Sequence, residues 1–290
     1  VETLLNPETS ARLERLVRLA RRVRAERRRG ALKQPGRGIE PGARRDYAPG
    51  DDLRRVDWPA YARLERLLVK VTEDLPEARI DLVLDGSASM RCGQPSPSLR
   101  AALACAGVAA VATARDLRVG VWLSGPGSDR LRISRPSELV RLLRFLARDR
   151  PGIGGPDLTA LGPELERVPR AGPVVFFSDG LDPGIVSAAG RLARRRSVRV
   201  ALIETTSELE EARVAALGEG VRAELIDAES GARLFRALGP AGLVDAARAR
   251  SRRLDLLCGE LEERGVGWLR LPSADPFEGI AEALLHLPRR

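Results

Sequence analysis

Apolar positions along the chain follow two alternating rhythms. Short runs of strand-forming residues, "RIDLVL" at 79–84, "RVGVWLS" at 118–124, "PVVFFS" at 173–178 and "VRVALIE" at 198–204, are apolar enough to be buried on both faces. Between them lie stretches with helical spacing, an Ala-rich one at 97–115 and others at 136–148, 160–168, 183–195 and 207–217. A short strand at 130–134 pairs with 118–124, and strands at 221–226 and 266–271 are flanked by helices at 240–264 and 276–286. Strands alternating with helices in this way predict an α/β fold: a three-layer, doubly wound, mostly parallel sheet with helices on both faces. Ahead of it, residues 9–29 carry Leu13, Leu16, Val17, Ala20 and Val23 on one helical stripe, with Thr9 or Ser10 as the start and Gly30 as the stop. A Gly/Pro-rich loop follows at 33–42. The pattern divides the chain into a basic amphipathic helix (1–34), a connecting segment (35–74) and the α/β domain (75–290).

Charge sharpens this division. The 290 residues carry a net +9, and twelve arginines and Lys33 against five glutamates place +8 of it in residues 1–45. Lys33 and Lys70 are the only lysines. Cys92, Cys105 and Cys258 are far apart, odd in number and in no metal-ligand spacing, which suits a reducing compartment. "AALACAGVAAVATA" at 101–114 is shorter than the roughly 18–20 residues needed to span a bilayer and reads as a buried helix. No apolar leader core precedes the first charges, so a soluble cytoplasmic protein is expected.

The chemistry gathers at strand ends. In parallel sheets ligands bind at the carboxyl ends of the strands. There the first strand delivers Asp85, Ser87 and Ser89, a later strand delivers Asp179, and Thr159 lies in the loop before the helix at 160–168. Three readings compete: acids capping the next helices, a serine nucleophile, and five oxygens around a hard cation. A hard cation such as Mg2+ takes six oxygens in near-octahedral array. Two carboxylates and three hydroxyls leave it electron-poor and ready for one more anionic oxygen, such as a partner's Asp or Glu. The nucleophile reading lacks a base, because the only histidine is His286 on a separate amphipathic segment. "GSASM" lacks the second glycine of a nucleophile elbow. "RPGIGGPDLT" lacks the lysine of a phosphate-binding loop. No enzymatic activity is expected.

The order "DGSAS", then a threonine in "GGPDLTAL", then "SDG" resembles the metal-ion-dependent adhesion site (MIDAS) of a von Willebrand factor type A domain. The resemblance implies Mg2+ (or Mn2+) held by Asp85, Ser87, Ser89, Thr159 and Asp179, with a protein as ligand. "RDYAPGDDLRRVDWPAYARLERLLVK" at 45–70 is similar to the signature of the bacterial domain-of-unknown-function family 58 (DUF58), supplied here by Arg45, Tyr47, Gly50, Asp51, Asp52, Arg54, Asp57, Trp58, Arg63 and Lys70. The tail "AELIDAESGARLF" also resembles that family, whereas Pro41 stands where an aromatic usually follows the acid. This second resemblance implies an adaptor that serves a MoxR-type AAA+ ATPase.

Physically, the signature segment reads as a clasp. Pro49 and Gly50 suit a tight turn, Asp51 or Asp52 a cap on Leu53–Val56, and Trp58 an anchor on the sheet. Arg45, Arg54, Asp57 and Arg63 are suited to an ion network, and direct contact with a partner or phosphate is the alternative. The nine arginines between Arg12 and Arg29 allow four roles: a solvated face of a helix packed on its own domain, a contact for an acidic patch on the ATPase, nucleic-acid binding, and binding to an anionic membrane surface. Few aromatics and no reading motif weigh against nucleic acid.

Overall fold

The computed structural model describes residues 4–32, 44–47, 56–70, 79–93, 96–125, 129–148, 158–168, 172–182, 184–204, 221–228, 230–238 and 240–271. Its centre is a six-stranded sheet of β3 (Arg79–Leu84), β4 (Arg118–Leu123), β5 (Asp129–Ile133), β6 (Val174–Ser178), β7 (Val198–Ile203) and β10 (Gly267–Leu271). The order across the sheet is β10-β7-β6-β3-β4-β5, parallel throughout except for β5, which runs antiparallel to β4. The chain leaves β3 toward β4 and β5, then returns to β6 on β3's other side. The strand order therefore reverses between β3 and β6, and the crevice at their carboxyl ends is the sheet's switch point.

Alternation along each strand splits the core in two. Ile80, Leu82, Leu84, Val119 and Val121 face α3 (Pro97–Ala114) and α4 (Leu139–Leu146). Val83, Trp122, Phe176 and Val200 face α5 (Leu158–Glu166), α6 (Gly184–Ala193) and α7 (Pro240–Glu263). Helix α3 is apolar on almost every side, and such a helix must be covered all round. The cover is α1 (Pro7–Leu32), whose Leu13, Val17 and Ala20 are buried in the same cluster as the α3 alanines. Helix α3 is thus the one described helix long and apolar enough to cross a membrane, and it is 83% buried inside the protein.

The N-terminal helix packs on its own domain and leaves Arg15, Arg18, Arg21 and Arg22 exposed. Its start is set by Asn6, whose Oδ1 accepts from Thr9 N at 2.6 Å, rather than by Thr9 or Ser10. Gly30 does not stop it, and the helix runs on to Leu32. Leu13→Ala is expected to lower stability by about 2–4 kcal/mol through the cavity it leaves over α3. Arg15→Ala is expected to leave the urea midpoint unchanged.

The signature segment forms a small ribbon of its own. Strands β1 (Arg44–Asp46) and β2 (Leu68–Lys70) pair antiparallel, with Arg45 opposite Val69 and Arg44 opposite Lys70. Val56 bridges to Val69, and α2 (Trp58–Leu64) joins the two halves. Asp57 is buried and caps α2, accepting from Ala60 N at 3.2 Å. Arg63 lies in the last turn of α2. Tyr47 is half-buried, and its N–H donates to Leu67 O. Trp58 does not pack on the sheet. It is 55% exposed and meets Tyr61 edge-on at 6.3 Å, whereas Ala60, two residues on, is buried in that turn. Gly50, Asp51, Asp52 and Arg54 lie outside the described residues, as do the loop at 33–42, the expected helices at 207–217 and 276–286, and His286.

One expected sheet member is absent from the sheet. Residues 221–226 form β8 (Val221–Ile226), which pairs antiparallel with β9 (Arg233–Leu238) in a separate hairpin. The turn closes through Gly231 at φ +69°, a left-handed conformation suited to glycine. Polar residues recur in β8 at Arg222 and Glu224, so the strand does not have the two-faced apolar character that the central strands share.

Candidate metal site at the switch point

Strands β3 and β6 end side by side. Asp85 N–H donates to Phe177 O at 3.0 Å, so the first loop starts locked to the neighbouring strand. Asp85, Ser87, Ser89 and Asp179 are all buried, at 4%, 1%, 8% and 2% exposure. Asp85 Oδ1 accepts from Ser87 N at 2.9 Å, folding the loop back on itself. Ser87 Oγ and Ser89 Oγ stand 3.0 Å apart. Asp179 Oδ1 accepts from Leu181 N at 3.0 Å and shapes the second loop in the same way.

Two serines not singled out in the sequence complete the frame. Ser178 Oγ donates to Asp85 Oδ2 at 2.6 Å and accepts from Gly180 N at 3.0 Å, tying both loops together. Ser124 Oγ, at the end of β4, accepts from Gly86 N at 2.9 Å. Gly86 is required there, since a Cβ would lie 2.0 Å from Ser124 O. The only signal for either serine was its place at a strand end, which many structural serines share.

Thr159 is placed differently from the expectation. It is the second residue of α5, not a loop residue, and is half-buried. Its Cγ2 lies 3.1 Å from where a Cβ on Gly184 would be, beside the turn in which Asp182 Oδ1 accepts from Gly184 N at 2.7 Å. The hydrogen bonds above join Asp85, Ser87 and Ser89 in one frame with Ser178, whereas Thr159 is located here by its neighbours Asp182 and Gly184.

Burial pushes the Asp85 carboxyl up from 3.8 to about 6. Hydrogen bonds from Ser178 and Ser87 oppose the rise, and the negative charge of Asp179 adds to it. The site therefore holds anionic oxygens that burial disfavours and that a cation would relieve. Two neighbouring ligands of an octahedral Mg2+, each about 2.0–2.1 Å from the ion, stand about 2.9–3.0 Å apart. The hydroxyl pair stands at this separation, which is also that of an ordinary hydrogen bond, and the all-oxygen donor set is the kind a hard cation takes. Among the described residues no cluster of three or more His, Cys, Asp or Glu is suited to a metal.

Residues 43–237 match the family described as Protein of unknown function DUF58. The uncharacterized protein Rv1480 of Mycobacterium tuberculosis (strain ATCC 25618 / H37Rv) is 31% identical over 156 residues, which are 51% of this chain and 49% of that protein. The chain therefore spans about half the length of the curated relative it matches. Among solved structures, an aerotolerance-related membrane protein from Bacteroides fragilis aligns with a TM-score of 0.42 at 16% identity, covering 72% of this chain and 96% of that one. The SpRpn10 VWA domain aligns with a TM-score of 0.33 at 12% identity, over 46% of this chain and 78% of its own.

Proposed function

The chain belongs to the DUF58 family, and from that premise we propose that it is a non-catalytic, metal-dependent protein-binding module. The observation that carries this reading is the Ser87–Ser89 hydroxyl pair, 3.0 Å apart and buried, like the carboxylates of Asp85 and Asp179, at the sheet's switch point. Mg2+ (or Mn2+) would be held by Ser87 and Ser89, with Asp85 and Asp179 supplying the charge and Thr159 completing the set. When bound, the ion would supply an electron-poor seat for an anionic oxygen. Asp85 sets the loop through Ser87 N and Ser178 Oγ, and Gly86 lets the loop lie flat against β4. The anionic oxygen is then a carboxylate of a protein partner, for which a MoxR-type AAA+ ATPase or its client is the proposed source.

Calorimetric titration of Mg2+ and Mn2+ into chelator-stripped protein tests this. The expected result is a single site in the parent and none in Asp85→Ala. Equal heats from the two proteins would remove the site from consideration. A second reading rests on the exposed Arg15, Arg18, Arg21 and Arg22 of α1. Nucleic acid or an anionic membrane would bind that face without metal and with strong salt dependence, measurable by gel shift or liposome pelleting.

A further inference from the structure

Beside the hydroxyl pair the surface falls into a cleft of about 360 Å³. Its lining includes Ser89, Cys92 and Asp179, Asp227 of the hairpin turn, and Arg250 and Arg253 of α7. Helix α7 is packed against the site loop itself. A Cβ on Gly180, which sits at φ +76°, would lie 2.7 Å from Leu257 and 3.1 Å from Leu254. Leu254, Leu257 and Leu261 are the buried stripe of this helix. Arg250 continues the stripe by one more turn, at the i−4 position from Leu254, where helical periodicity calls for an apolar residue.

The two arginines differ in what they do. Arg253 donates to Leu181 O at 3.0 Å and ties α7 to the Asp179 loop. Arg250 is half-buried and has no ion-pair partner among the described residues. Asp227, which lines the same cleft, accepts from Ser230 N at 3.3 Å. A guanidinium with no ion-pair partner among the described residues, lining the same cleft as Ser89 and Asp179, is complementary to a second carboxylate of a ligand seated at the proposed metal site.

We propose that this cleft makes the module selective for an acidic segment with two carboxylates, one seated at the Ser87–Ser89 site and the other on Arg250. The proposal rests on the metal-dependent reading above and adds the chemistry of the partner's sequence. The occupant is a peptide segment of a partner protein rather than a lone acidic side chain.

The test uses fluorescein-labelled peptides with two aspartates separated by one to three glycines, and matched peptides with one aspartate changed to asparagine. Binding is read by anisotropy with and without Mg2+. It is read independently by protection of Cys92, the exposed member of three free cysteines, from a thiol reagent. In Mg2+ the two-acid peptide of suitable spacing is expected to bind about tenfold tighter than its one-acid partner, as one partly exposed charge-assisted hydrogen bond provides. Arg250→Gln, which keeps the helix, is expected to erase that preference while leaving Mg2+ affinity and one-acid affinity unchanged. Equal binding of both peptides at every spacing, or a preference that survives Arg250→Gln, overturns the proposal while Mg2+ uptake still stands. A parent chain that takes up no Mg2+ overturns the metal reading and this proposal together.

Discussion

Asp81→Ala is expected to cost the fold about 3–5 kcal/mol, more than any other single change considered, because it strips the partner from buried charge. Asp81 is fully buried in the middle of an apolar strand. Its Oδ1 accepts from Arg79 Nε at 3.0 Å, Arg79 Nη2 at 2.6 Å and Trp122 Nε1 at 2.9 Å. Its Oδ2 accepts from Arg196 Nη2 at 2.5 Å. The Arg196 side chain is only 4% exposed and also donates to Gly172 O and Leu165 O. One carboxylate thus joins β3, β4 and the turn after α6 at the end of the sheet opposite the candidate site. Gly120 makes room for it, since a Cβ there would lie 2.3 Å from Asp81 Oδ1. Alanine would leave a buried guanidinium and an indole N–H without their acceptor. Urea denaturation of Asp81→Ala, compared with Asp81→Leu combined with Arg196→Met, separates the causes. If unpaired charge is the cause, the double variant is expected to recover part of the loss, because the Arg196 charge is removed with its acceptor while Arg79 and Trp122 Nε1 still lose theirs. A double variant as unstable as the single would assign the loss to Arg79, Trp122 or packing rather than to the Arg196 charge.

The fate of Asp81 shows which parts of this protein are legible in the sequence. The central strands are readable because parallel strands buried on both faces must be apolar runs, and "VVFFS" and "VRVALIE" have no other comfortable state. Asp85 and Asp179 are readable because they break such runs at their carboxyl ends. Asp81 sits inside its run, where strand patterning treats it as noise. The usable signal was Arg79, two residues away and therefore on the same face. Its second partner, Arg196, is remote in sequence and comes near only through the fold. The hairpin partner "RLFRAL" at 233–238 was missed because its residues, Phe235 apart, are good helix formers with none β-branched, and pairing with β8 sets its conformation. Ser178 and Ser124 have no local signature, and Thr159 reads as a loop residue because the Gly/Pro-rich run "PGIGGP" outweighs the single capping signal of Asp157 just ahead of α5. The sequence thus indicated the layers and the site's charged ends, while the hydroxyl frame and the ion clamp depend on contacts between distant segments.

Asp85→Asn is expected to make the metal-free protein more stable above pH 7 by about 3 kcal/mol, and to abolish Mg2+ uptake. In the folded chain the Asp85 carboxyl is pushed up to about 6 by burial, against 3.8 ordinarily. Between those two values the folded state keeps a proton that the unfolded state releases. Stability therefore falls as pH rises through this window and levels off above it. The full loss corresponds to about 3 kcal/mol at 1.36 kcal/mol per pH unit. Asparagine cannot ionise, its oxygen can still accept from Ser87 N, and its amide can donate to Ser178 Oγ. Parent and variant are expected to converge below pH 4 and to separate progressively between pH 4 and 6 in chelator, measured as urea midpoints across pH. Adding Mg2+ at about 100 times its dissociation constant is expected to return about 2.7 kcal/mol to the parent and nothing to the variant. A variant less stable than the parent at pH 8 in chelator would mean that the carboxylate's own hydrogen bonds outweigh its burial, and the capping reading would regain ground. The two readings differ in sign here. A capping acid stabilises the ionised fold on its own, whereas an acid held for a cation weakens the fold until the cation arrives.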